Sequence, residues 1–406
     1  MCKMNKLKII NDPIYGFITI PSELIYDIIE HPYFQRLRRI TQMGLSYLVY
    51  PGANHTRFHH VIGCLFLMQK AINVLQFKGV KITKDEAEAL QIAILLHDIG
   101  HGAFSHSLEH SIVKGVSHEE ISLKFMEVLN QEFDGKLNLA IAIFKGEHPK
   151  LFLNQLISSQ LDIDRLDYLK RDSFYTGVAE GNVNSERLIT MLNVKDNKLV
   201  VEEKGIYSAE KFIIARRLMY WQVYLHKTSL VAEKILVKLL QRAKHLVEKG
   251  VAVPASETFS FFLKNTIRLA NFNTDILNKF SCLDDFDIIM AIKDWQNHQD
   301  VVLSSLSRMI IQRKLPKVIM QKEVFLEEQV NAYKEKVKKK FDLNSDEIAY
   351  FVFTGTVANH AYSKEKDPIC ILQKNGNVKD LVQASDHFNL AALTKPVVKH
   401  FLVFPK

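Results

Sequence analysis

The chain has 406 residues, 47% apolar and 24% charged, a globular composition long enough for one large domain or two ordinary ones. No apolar run approaches the ~20 residues of a bilayer span and the N-terminal MCKMNKLKIINDP lacks the apolar segment of a signal peptide, so a cytoplasmic protein without a membrane partner is expected. A net charge of +8 favours anionic partners, and the scattered Cys2, Cys64, Cys282 and Cys370 form no CxxC pair and suggest neither a thiolate zinc site nor a disulfide framework.

In chain order, apolar residues recur at three- and four-residue spacing over 21–43, 85–97, 119–133, 161–172 and 209–249, which predicts a helical body. The stretch EKGVAVPAS at 248–256 has the Gly and Pro of a linker, and helical patterning resumes after it to residue 313. Beyond that the character changes. KVIM, IAYFVFTGTV, PICILQKNGNVKDL and HFLVFP read as strands, one pair turning through Asn375-Gly376, with the charged helix EEQVNAYKEKVKKKF between the first two. The expected organisation is a helical core over 1–250, a helical extension over 251–314 and a smaller α+β lobe over 315–406.

Histidine is concentrated in one region. Eight of the sixteen, His55, His59, His60, His97, His101, His106, His110 and His118, fall between residues 55 and 118. The apolar helix DEAEALQIAILL stops at His97-Asp98, and Gly100 and Gly102 follow, where left-handed backbone angles would end a helix. Imidazole nitrogen and carboxylate oxygen are ligands for borderline and hard divalent metals, but one His-Asp pair needs partners from other segments. His60, opening the helix of NHTRFHHVIGCLFLM, and Asp164 in QLDIDRLDYLKRD supply them. Arg57, one turn before His60, places a cation beside any anion bound there. Asp164 shares a helical face with Tyr168 and Arg171, while Asp172 lies to the side of it.

Taken singly, each piece has a plainer explanation. A His-Asp dipeptide is common, LDIDRLDYLKRD alone reads as a solvated helix of alternating charge, and His59, His110 and His148 read as surface or core histidines. The ordered set carries the weight.

That order, TRFHH, LLHDIGHGAFSH, SHEE and DIDRLDYLKRD, resembles the HD-domain metal phosphohydrolases, and more closely the deoxynucleoside triphosphate triphosphohydrolases of the SAM-and-HD-domain type. The likeness begins at KIINDPIYGFI, runs through HPYFQRLRRITQMG and VYPGANHTRFHH and weakens in the C-terminal strands, with no SAM domain expected before it. It implies a mainly α fold, a helical HD-domain metal phosphohydrolase core with a smaller α+β C-terminal lobe.

By the same resemblance, His60, His97, Asp98 and Asp164 are ligands of a divalent iron, manganese, zinc or magnesium ion. His101, His106, Glu109 and His118 line the phosphate site; His106 and His118 are the candidates for protonating the leaving oxygen, oriented by Glu109 and Glu119. Arg57, Arg165 and Arg216 match phosphate-gripping positions, Arg165 where relatives often have Lys. Gln42 and Asp172 match residues that hold a 3'-hydroxyl, Tyr168 an aromatic ring that crowds a 2'-hydroxyl, and Tyr224 another wall of the pocket. The implied substrate is a deoxynucleotide and the products a deoxynucleoside and inorganic triphosphate.

The resemblance further implies a homo-oligomer, dimer or tetramer, and a nucleotide activator at a regulatory site of Lys8, Asn11, Gln35 and Arg38, although Glu30 stands where the best-known members have Asp. The same metal core would also serve a nucleotidase or phosphodiesterase acting on other nucleotides. Nucleic acid is not the expected partner, because YKEKVKKKF lacks the aromatic interleaving that stacking on bases needs.

Overall fold

A computed structural model describes residues 8–104, 112–113, 115–341, 343–363, 365, 367–386 and 394–406. It is mainly helical, with small sheets at its margins. At its centre the Arg57–Phe77 helix packs against Lys84–Leu96 and Ile163–Thr176. Local chemistry sets these ends: Thr83 caps Lys84–Leu96 in a box with Glu86, Asp162 accepts the Arg165 amide at 2.8 Å, and Gly177 closes Ile163–Thr176 at φ 72°. By length and composition alone Arg57–Phe77 could cross a membrane, contrary to the expectation that no segment would, but 67% of its apolar window is buried inside the protein. It is the core helix.

Close approach of the helices depends on two glycines. A Cβ at Gly63 would lie 2.1 Å from Asp167 Oδ1 and 2.2 Å from Arg171 Nη2, and one at Gly100 would lie 2.2 Å from the His118 carbonyl. Gly100 is therefore required for contact, and the expected left-handed stop is not found there; the left-handed residue after the helix is Phe104, at φ 49°. From behind, Arg36 donates to the carbonyls of Ile99 (3.2 Å) and His101 (2.5 Å), and Asp285 accepts the Phe104 amide at 2.8 Å.

Several predicted segments are broken. Residues 21–43 form Glu23–Glu30, Pro32–Gln35 and the 3-10 turn Arg36–Arg39, because His31 is extended and Pro32 starts a new helix. Residues 209–249 divide into Ile206–Met219, a π-helical turn at Tyr220–Tyr224 and Lys227–Glu248. Within IAYFVFTGTV the first residues belong to the Ser345–Phe351 helix, and only Phe353–Asn359 is strand.

Two hairpins lie inside the region expected to be helical. Ile9–Asp12 pairs with Gly16–Thr19, and Leu192–Lys195 with Lys198–Glu202. The second is extended by chain far downstream: Lys198–Glu202 runs parallel to Cys370–Leu372, which pairs with Val378–Asp380 through the predicted Asn375-Gly376 turn. Lys317–Gln321 and Phe353–Asn359 flank Val397–Phe404 in an antiparallel sheet.

Candidate active site

His60 lies in the first turn of Arg57–Phe77, His97 and Asp98 follow Lys84–Leu96, and Asp164 lies in the first turn of Ile163–Thr176. Their polar atoms converge. His60 Nε2 is 3.1 Å from Asp164 Oδ1 and 3.7 Å from Asp98 Oδ2; His97 Nε2 is 3.4 Å from Asp98 Oδ1 and 3.6 Å from Asp164 Oδ1. Each imidazole is held from behind through its other nitrogen, His60 Nδ1 2.8 Å from Asp167 Oδ2 and His97 Nδ1 2.6 Å from the Ile94 carbonyl. With Nδ1 donating, both Nε2 lone pairs face the carboxylates, and His97 Nε2 is buried with no hydrogen-bond partner. This donor set fits a divalent cation, which would satisfy that nitrogen and neutralise both carboxylates.

Asp98 stands between this group and a second one. Its Oδ2 accepts Arg57 Nη1, and its Oδ1 is 3.3 Å from His101 Nε2. The His101 ring stacks on His118 at 3.9 Å, and His118 Nε2 is 3.3 Å from Glu119 Oε1. Burial raises the Asp98 carboxyl, but the guanidinium and imidazoles around it win and hold it well below the usual carboxylate range. Burial, then Arg57, pushes His101 well below the ordinary imidazole value. His106 and Glu109 lie outside the described residues.

A cavity of about 460 Å³ opens from Asp98 and Asp164 towards Gln42, Tyr168, Asp172 and Tyr224, within the range of small-molecule sites. Asp172 is fixed on both oxygens, by His55 Nε2 at 2.8 Å and by the Tyr224 hydroxyl at 2.7 Å, and the His55 ring stacks on Tyr175. Gln42 Oε1 is buried without a partner. Tyr168 and Tyr224 meet edge to face at 6.1 Å. Arg57, Arg165 and His118 also line this space, Arg165 paired through Nη1 with its helix cap Asp162.

Other sequence candidates lie elsewhere. Arg216 is not among the cavity-lining residues and donates to the Ala361 carbonyl at 3.4 Å. Lys8 lies over the Tyr26 ring, Asn11 is exposed on its hairpin, and Gln35 accepts from exposed Arg38 at 2.8 Å; none of the four lines the cavity. Arg171 corrects the helical-face reading, since it is fully buried and points back to Asp167 and Asp12, whereas Asp172 lines the cavity. Nor is LDIDRLDYLKRD a solvated helix, with Asp162, Asp167, Arg171 and Asp172 all buried.

Sequence reasoning missed Asp167, Asp12 and His55. Asp167 offered a faint signal, being an acidic residue three positions after Asp164 on a helix rich in charge; His55 was noted only as one of the clustered histidines and Asp12 only within KIINDPIYGFI, neither with a role.

The HD domain family matches residues 57–172, and the HD-associated region matches residues 183–256. The Bacillus subtilis protein YwfO is 32% identical over 94% of this chain and 89% of its own length. A solved phosphohydrolase from Bacteroides thetaiotaomicron is 53% identical with a TM-score of 0.96, covering 99% of this chain and all of that one. Human deoxynucleoside triphosphate triphosphohydrolase SAMHD1 is 28% identical over 60% of this chain, which spans 46% of that protein. A relative aligned along nearly its whole length, and an HD pair that meets its distant His and Asp in space, establish that the chain belongs to the HD-domain phosphohydrolases, hydrolases in which an HD domain precedes an HD-associated region.

Proposed function

We propose that the protein hydrolyses deoxynucleoside triphosphates to deoxynucleoside and inorganic triphosphate. The observation that carries the reading is a single cavity with the His60, His97, Asp98 and Asp164 cluster at one part of its wall and the doubly anchored Asp172 at another. A nucleotide placed along it has its phosphates beside the cluster and its sugar beside Asp172. The name of human SAMHD1 gives this activity to that relative, which supports the substrate class.

His60, His97, Asp98 and Asp164 would hold a divalent ion, iron, manganese, zinc or magnesium, whose chemistry is charge neutralisation and activation of water. Arg57 and Arg165 bind phosphate oxygens, each held in place by a carboxylate partner, Asp98 or Asp162. The stacked His101 and His118 stand beside the cluster, and His118, with Glu119 at 3.3 Å, donates the proton to the departing 5'-oxygen; His106 and Glu109 belong to the same role. Asp172 keeps a lone pair on each oxygen after accepting from His55 and Tyr224, so it accepts the proton of the 3'-hydroxyl, and the Gln42 side-chain amide donates to the hydroxyl oxygen. The Tyr168 ring crowds a 2'-hydroxyl. Arg216 joins the phosphates by leaving the Ala361 carbonyl, and Lys8, Asn11, Gln35 and Arg38 form an activator site in a homo-oligomer.

The test incubates purified protein with each deoxynucleotide and ribonucleotide, singly and in pairs, across divalent metals, and separates the products. Inorganic triphosphate with deoxynucleoside is expected. Orthophosphate alone, or a linear product from a cyclic nucleotide, would replace this reading with a nucleotidase or phosphodiesterase on the same metal core. Rates unchanged by pairing would remove the activator.

A further inference from the structure

Behind His60 runs a buried chain of charge that takes no part in the cavity. Asp167 meets His60 Nδ1 at 2.8 Å and accepts Arg171 Nε at 2.9 Å and Nη2 at 3.0 Å. Arg171 Nη1 donates to Asp12 Oδ2 at 2.8 Å. The other Asp12 oxygen accepts the amides of Ile14 at 2.9 Å and Tyr15 at 3.0 Å, closing the turn between Ile9–Asp12 and Gly16–Thr19. His60, Asp167 and Arg171 are completely buried, Tyr15 stacks on Phe66 at 4.9 Å, and a Cβ at Gly63 would collide with the Asp167 and Arg171 heads.

We infer that the N-terminal hairpin is a working part of the metal centre, with Asp12, Arg171 and Asp167 acting as positioning residues that set the tautomer and ring plane of His60. The inference rests on reading His60 as a metal ligand. Fold stability alone accounts poorly for the arrangement, since buried ion pairs contribute little net stability after desolvation. A planar guanidinium gripped by two carboxylates has one orientation, and it passes that orientation to Asp167 and so to the imidazole. Asp12 completes the grip: without its Oδ2, the Arg171 Nη1 donor loses its partner in a site closed to water, and the guanidinium turns to find another. A ligand imidazole whose hydrogen-bonded support is disturbed binds metal ~10–100-fold more weakly.

Asp12→Asn separates the two jobs of this side chain. Its remaining oxygen can still cap the Ile14 and Tyr15 amides, while its amide nitrogen faces Arg171 and cannot accept. Phe17→Ser, at an exposed position of the same hairpin, is the control. The 406-residue parent and variant chains are loaded with manganese or zinc and dialysed against graded chelator; bound metal is counted by mass spectrometry and helicity followed by circular dichroism. Asp12→Asn is expected to keep its helicity and lose at least about tenfold in metal affinity, with Phe17→Ser unchanged. Parental affinity in Asp12→Asn, or an equal loss in Phe17→Ser, overturns the inference while leaving the ligand assignment intact. A parent protein that retains no metal overturns both. If Asp12→Asn does not fold, Asp12→Ser, which keeps a cap acceptor without opposing Arg171, is measured in its place, and failure of both to fold makes the network a requirement of the fold and ends the proposal.

Discussion

The cavity wall around the metal cluster and the wall around Asp172 are built on the same helix, Ile163–Thr176, by different means. Around Asp164 stand two imidazoles and the Asp98 carboxylate, and the supports behind His60 are Asp167 and Arg171, neither with any exposure to solvent. Around Asp172 a carboxylate is held by an imidazole and a phenol, and a glutamine oxygen is left without a partner. Under the proposed function, the first wall would hold the cation and the phosphates and the second would hold the sugar hydroxyl. On that proposal, replacing a residue of the first wall should remove the field that drives hydrolysis, whereas a change at the second should alter which molecule is held.

That contrast orders the expected effects. Asp164→Ala should lower hydrolysis by more than the ~10²–10³-fold that loss of one electrostatic donor costs, with unchanged circular dichroism; near-parental product release would erase the distinction between the two walls. Stripping the metal acts on the same wall and should be at least as severe. It should abolish turnover and lower thermal stability by about 3 kcal/mol when the parent is compared at a free metal concentration ~100 times its dissociation constant, read from thermal unfolding with and without chelator. Asp172→Asn, which weakens a charge-assisted bond to the 3'-hydroxyl, should cost about 1.5–3 kcal/mol in kcat/KM for deoxynucleotides, with metal content unchanged. A loss of metal in that variant would show that the walls are not independent. Gln42→Ala is expected to be mildest, about 1 kcal/mol, appearing in KM.

The four cluster residues were legible because their types are rare together and their order along the chain is distinctive, although they are spread from His60 to Asp164. The supports were not. Asp167 and Arg171 look like ordinary surface charges of an alternating helix, and only the packing of Ile163–Thr176 under Gly63 turns them inward. His55 reads as one more histidine in a histidine-rich stretch until Asp172 arrives at 2.8 Å. The hairpins at Ile9–Asp12 and Leu192–Lys195 were missed because four-residue strands are too short for alternation to stand out, and the 209–249 helix was overextended because a π-helical turn keeps nearly helical spacing.

Helical character and the supply of His and Asp donors able to bind a cation were determined by local sequence, since periodicity and donor type are properties of neighbouring residues. Which way each charged side chain points was decided only by tertiary structure. Asp164 and Asp167 lie three residues apart on one helix, yet one faces the cavity and the other supports His60 from behind, because the burial of a charge depends on the partners that distant segments bring to it.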